Sequence, residues 1–156
     1  MDINIKNSII REITREIVVI SRCLSFIREI DFKNLDLQRN QHIFLIRIME
    51  NPGVNQEDLS KMLRIDKTTT AKALKKLEEK GYINRLKSEL DQRSLCMWPT
   101  KKTKSIYPYI QASINRTSEQ GVVDFSDEEI LLLYNLLTKY RKQIINQWDI
   151  AKDKTI

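Results

Sequence analysis

The sequence predicts a mainly α chain, with long helices at both ends and short helices plus one two-stranded hairpin between them. Three observations carry that expectation. Apolar residues near both termini recur at helical spacing, turn signals are confined to a few sites, and basic residues gather in the middle third. Only three Gly and three Pro occur in 156 residues, which argues against a linker-rich or loop-dominated chain. A chain of this length can bury roughly 68–70% of its unfolded surface, so a core is possible without staples.

Ile13, Ile17, Ile20, Leu24 and Ile27 recur at spacings of 4, 3, 4 and 3. They draw one stripe along a helix of about residues 6–31, with Arg15, Arg22 and Glu29 off the stripe. A spacing averaging near 3.5 suits packing along another long helix. A second helix is expected from about Arg39 to Glu50, carried by Ile43, Phe44, Ile46 and Ile48 and ended by Asn51-Pro52-Gly53. Asn55 then reads as an N-cap with acidic Asp58 three residues on, ahead of Leu59, Met62 and Leu63. Arg64-Ile65-Asp66 is too short for anything but a turn, and Asp66 caps the next helix. That helix ends with Gly81 supplying a positive φ and Tyr82 placed to pack back on Leu77. Two short helices joined by a tight turn make a helix-turn-helix.

Tyr82 to Lys87 reads as an extended strand, Ser88 to Gln92 as a turn, and Arg93 to Trp98 as the returning strand. A hairpin directly after a helix-turn-helix is a winged helix. Asp91 and Arg93 fall at its tip, where the carboxylate is placed to hold the guanidinium of Arg93 or Arg85. Thr100 caps a fifth helix of about 101–118, which Pro108 is expected to kink or break. Ser126 and Glu129 form a capping box that opens a last helix with Ile130, Leu133, Leu137, Tyr140, Ile144 and Trp148 on one face. A compact middle cannot cover two such helices, so the economical solution is pairing with a second copy. The fold class is therefore mainly α: a winged helix-turn-helix core with a two-stranded wing and long N- and C-terminal dimerisation helices. The expected division is 1–34 for the N-terminal dimerisation helix, 35–104 for the winged helix-turn-helix, and 105–156 for the C-terminal dimerisation helices.

Composition argues against catalysis. A single histidine, His42, excludes a two-His metal site, and three scattered glycines cannot build a phosphate-cradling loop. Glu78-Glu79 and Glu128-Glu129 are adjacent in sequence and point apart on a helix. Two cysteines 73 positions apart, with no CxxC, make neither a disulfide framework nor a zinc ligand set. No enzyme, cofactor or metal is expected. The longest apolar run, Ile130 to Tyr134, is far short of the ~20 residues that span a bilayer. The first residues also lack an apolar signal region. A cytoplasmic protein without a membrane partner is expected.

Charge is uneven. Residues 61–104 hold 13 Lys and Arg against 5 Asp and Glu, a balance of +8, while the rest of the chain sums to −2. That is the footprint of a polyanion-binding module on a near-neutral frame. On the helix after Asp66, Thr70, Ala73, Leu74 and Leu77 share a core face, whereas Thr68, Lys72, Lys75 and Lys76 share the opposite side with Thr69 at its edge. Hydroxyls there can reach base edges and lysines can neutralise phosphates.

These residues resemble the MarR family of bacterial transcription regulators. The resemblance rests on Asp66 to Arg85, with its Leu77-Glu78-x-Lys80-Gly81 helix end, and on Asp91-x-Arg93 followed by Thr100. Pro99 stands where the family normally has Leu, and Thr103 where Gly is usual; both bear on the start of the fifth helix. The resemblance implies a homodimer that binds pseudo-palindromic promoter DNA, with Thr68, Thr69 and Lys72 toward the major groove and Arg93 on a minor-groove wing. It implies a repressor relieved by a small aromatic ligand or a stress signal. One branch of the family senses peroxides through an N-terminal cysteine, which makes Cys23 a redox candidate against its burial as a small hydrophobe beside Leu24. The competing function is a winged-helix protein-interaction module without sequence-specific DNA binding. The +8 middle and the Thr/Lys face favour DNA.

Overall fold

Helix α1 (Ile3–Asp31) opens where the Asp2 carboxylate accepts the Asn4 amide at 2.7 Å. The computed structural model describes residues 1–87 and 95–153. It divides into two compact units, residues 1–115 and the residues from Arg116 on. A 3-10 turn at Lys33–Leu35 follows α1, then α2 (Gln41–Glu50), β1 (Val54–Asn55), α3 (Gln56–Leu63) and α4 (Lys67–Glu79). Strands β2 (Ile83–Lys87) and β3 (Leu95–Pro99) lead into α5 (Lys101–Gln120) and α6 (Asp127–Asp153).

The expected caps form. Asn55 Oδ1 accepts the Asp58 amide and Asp66 Oδ1 the Thr69 amide, both at 2.8 Å. At the end of α4, Gly81 has φ +72°, its amide donates to Glu78 O, and the Tyr82 amide donates to Leu77 O, both at 2.8 Å. That pair of bonds is a Schellman motif. Leu77 and Tyr82 both join the core. The Ser126 and Glu129 capping box is reciprocal, at 2.9 Å and 3.3 Å.

Three features depart from the sequence expectation. The sheet has three strands in the order β1-β3-β2, because Val54 and Asn55 pair with Met97 and Cys96 on the outer side of β3. Gly53 makes room for this: a Cβ on it would meet the Trp98 ring at 3.0 Å. Helix α2 begins at Gln41, later than expected, because Asn40 is left-handed with φ 64°. Finally, α5 runs unbroken through Pro108. Proline removes one backbone bond, but fully buried Thr103 and Ile110 hold the helix on either side of it. The departures at Pro99 and Thr103 leave its start intact. Thr103 is a buried donor to the Tyr82 carbonyl, and Pro99 ends β3 opposite Ile83.

The core of the first unit gathers Phe32, Phe44, Leu45, Ile48, Leu59, Leu74, Leu77, Tyr82, Ile83, Met97 and Ile110 around α2, α3, α4 and the sheet. The end of α1 is tied to α5 by buried Arg28 donating to Ser113 O at 3.3 Å, and by Tyr109 Oη donating to Asp31 O at 2.7 Å. His42 is buried with its ring 5.1 Å from that of Phe32. Burial, then the nearby Arg28 charge, lowers its pKa to about 4.

Between those values and the ordinary His pKa, the unfolded chain binds more protons than the folded one, so stability falls as pH drops from about 6.5 toward 4. From pH 7 to pH 5 this amounts to about 2 kcal/mol. Thermal melting across that range should show the loss, and His42→Phe should remove this component. An unchanged pH dependence in the variant would place the titration elsewhere.

Candidate nucleic-acid interface

Helix α4 divides its side chains as the periodicity predicts. Thr70, Leu74 and Leu77 are fully buried and Ala73 half-buried, while Thr68, Thr69, Lys72, Lys75 and Lys76 are exposed. The Asp66 cap fixes where the helix starts, and thereby which residues lead its exposed face. Bonding to the Thr69 amide holds the Asp66 carboxyl below its usual pKa, so the cap stays ionised at neutral pH. Arg64 in the left-handed region makes the turn from α3 into α4.

The cations of this face differ in their surroundings. Lys75 lies 3.9 Å from the Glu79 carboxylate, a weak exposed pair. Lys76 Nζ donates to Gln38 Oε1 at 2.9 Å. Among the described residues no carboxylate pairs with Lys72. Arg85, on β2, places its Nε 2.7 Å from Glu78 Oε2, joining the strand to the end of α4. Its partner on the described side of the wing is thus Glu78, which the sequence reading did not foresee. Asp91 and Arg93 lie outside the described residues.

Sequence reasoning also missed the polar run Gln38-Arg39-Asn40-Gln41, which sits beside α4 and supplies the partner of Lys76. Four consecutive polar residues were the available signal, but Arg39 to Gln41 read as the start of the second helix. Cys23 is exposed on α1 rather than buried as a small hydrophobe. Of the apolar stripe on the same helix, Ile13, Ile20, Leu24 and Ile27 are exposed as well and Ile17 is half-buried. Cys96 is half-buried on β3.

A separate cavity of about 380 Å³ lies between α2, α3 and α5. Ile43, Ile46, Leu63 and Ile114 form apolar wall, and Arg47, Glu50 and Tyr107 bring polar groups. Arg47 and Glu50 are paired at 2.6 Å, and burial with the neighbouring Glu50 raises the Tyr107 pKa.

A cap-defined helix with a hydroxyl and ammonium face, followed by a sheet hairpin, is the DNA-reading arrangement of winged helix-turn-helix regulators. Comparison with known proteins agrees. The MarR family pattern matches residues 37–95. The chain is 40% identical over 141 residues to the uncharacterized HTH-type transcriptional regulator YybA of Bacillus subtilis, covering 90% of this chain and 94% of that one. The fold matches that of a MarR protein from Peptoclostridium difficile with a TM-score of 0.85 at 40% identity, over 87% of this chain and 89% of that one. It also matches a putative MarR family regulator from Listeria monocytogenes, solved with 26mer DNA, with a TM-score of 0.86 at 35% identity over 90% and 93%. The chain belongs to the MarR family of transcriptional regulators. Among the described residues no helix is long and apolar enough to cross a membrane.

Proposed function

We propose that this regulator is a homodimeric repressor that binds pseudo-palindromic promoter DNA in the bacterial cytoplasm and is relieved by a small ligand or stress signal. The observation that carries DNA reading is the exposed Thr68, Thr69 and Lys72 face at the N-terminal half of α4. Thr68 and Thr69 reach base edges in the major groove, and Lys72, Lys75 and Lys76 neutralise phosphates. Arg93 enters the minor groove from the wing, with Asp91 and Arg85 positioning it. The DNA complex of the similar Listeria regulator supports this assignment. The binding module is residues 35–104, and the segments 1–34 and 105–156 pair the subunits.

Pairing is supported by apolar side chains left open on both terminal helices, among them Ile20 at 54% and Leu137 at 45% exposure. Each such side chain gains about 1.5–3 kcal/mol when covered. A small aromatic effector is supported by the cavity between α2, α3 and α5, which offers apolar wall with a few polar groups.

Light scattering on the unmodified protein should report a dimer, and Leu133→Lys with Leu137→Lys should give monomers or insoluble protein. A well-folded monomeric parent would sink the pairing. Titrations on a duplex from its own promoter and on a scrambled one test the reading face. Lys72→Ala should weaken both, while Thr68→Ala and Thr69→Ala should narrow the gap between them by about 1–3 kcal/mol. Three variants behaving like the parent would overturn the assignment of α4. On the wing, Arg93→Ala should cost about 1–3 kcal/mol, and Asp91→Ala a milder loss despite removing a negative charge. Tighter binding by the Asp91 variant at fixed salt would rule out its positioning role.

A further inference from the structure

A cleft of about 350 Å³ lies between α4 and the segment that enters α2. Its wall includes Gln38, Arg39, Gln41, Thr69, Lys72 and Lys76, so three cations line it and no carboxylate does. Among the described residues no carboxylate pairs with Arg39 or Lys72, and both are exposed. Gln41, by contrast, is 3% exposed. Its Oε1 accepts the Gln38 amide at 2.8 Å, which orients the side-chain amide, and its Nε2 has no acceptor. A buried donor left without an acceptor is costly, and native structures hold few of them.

We propose that this cleft is a phosphate site, which takes one backbone phosphodiester of duplex DNA when α4 docks. Arg39 and Lys72 supply the charge, Lys76 completes the wall through Gln38, and Gln41 offers the donor that lacks an acceptor. The two non-bridging oxygens of a phosphodiester share one negative charge and suit a guanidinium fork together with an ammonium point charge. The cleft shares Thr69 and Lys72 with the reading face, so an anion seated in it lies beside the groove that α4 enters. This inference rests on the DNA-binding reading above and adds to it a second element, the segment before α2. The contact carries no sequence information; it fixes the register of α4 on the duplex.

The test uses the full chain and a mixed-sequence duplex, since backbone contacts do not need the operator. Binding is measured over a series of salt concentrations for the parent, Arg39→Ala and Gln41→Leu. Arg39→Ala should weaken binding several-fold on every sequence and reduce the log–log salt slope by about 1. Gln41→Leu, which removes a neutral donor, should weaken binding several-fold with the slope unchanged. Thermal melting of both variants separates loss of binding from loss of fold, and Arg39→Ala, at an exposed position, decides if Gln41→Leu unfolds. An Arg39→Ala protein with the parent's affinity and slope overturns the site while leaving duplex binding by the parent in place. A parent that does not bind duplex overturns both readings. Nitrogen-edited NMR of the Gln41 side-chain amide distinguishes the anion's source. It should move on adding duplex and stay put with inorganic phosphate at matched ionic strength; movement with inorganic phosphate alone would make the occupant a free anion and overturn the backbone assignment.

Discussion

The architecture of the winged helix-turn-helix depends on one residue, Tyr82, and on the glycine that precedes it. Gly81 turns the chain at φ +72°, and the turn drives Tyr82 back into the core at 1% exposure. From there Tyr82 gathers most of the neighbouring elements. Its amide closes α4 on Leu77 O, its hydroxyl donates to Leu35 O, and its carbonyl accepts from the Thr100 amide and from the Thr103 hydroxyl. The Lys102 ammonium covers its ring at 3.9 Å and donates onward to Lys80 O at 2.8 Å. The last turn of α4, the entry to β2 and the start of α5 are thus fixed through the backbone and side chain of one residue. These bonds hold the C-terminal end of α4 while Thr68 and Thr69 at its other end stay exposed.

The terminal helices obey a different constraint. α6 is 27 residues long and none of its described side chains is buried, while its leucines and Ile130, Ile144 and Ile150 are exposed. An isolated helix gains most of its stability from an apolar face that packs, not from propensity. The stripe Ile13, Ile20, Leu24 and Ile27 on α1 is likewise open. Within α1 only Arg28 is buried, where it meets the carbonyl of Ser113. Both helices thus expose apolar surface whose burial would stabilise them.

Much of this was legible in the sequence because the signals were local. Asn55, Asp66, Ser126 and Gly81 each announce a helix end within three or four residues, and each sits where its chemistry requires. The faces of α4 followed from a 3.6-residue period alone. What was not legible depends on contacts between distant residues. Val54 and Asn55 become a strand only because β3 offers an unpaired side, and two residues are too few to show alternation. Pro108 forecast a kink or break, yet α5 is continuous through it, with buried Thr103 and Ile110 on either side. Glu78 and Arg85 meet across the helix end seven positions apart, a spacing with no periodicity behind it. The left-handed Asn40, which shifts the start of α2 and exposes the segment before it, carries no sequence mark beyond being an asparagine.

Asp66 finally constrains how phosphate can be met. The N-terminus of a helix is ordinarily a ready anion site, because its first amides are unpaired and the dipole is positive there. In α4 that site is already taken: the Asp66 carboxylate accepts the Thr69 amide, and it is ionised. A phosphate approaching the same amides would meet a carboxylate, and like charges at such range repel strongly. The leading exposed residues, Thr68 and Thr69, are neutral and can both donate and accept hydrogen bonds. The exposed cations lie one to two turns further along, at Lys72, Lys75 and Lys76, and Arg39 stands across the cleft. The cap that starts the helix thus also sorts its surface, with a carboxylate and two hydroxyls at the first turn and ammonium groups beyond it.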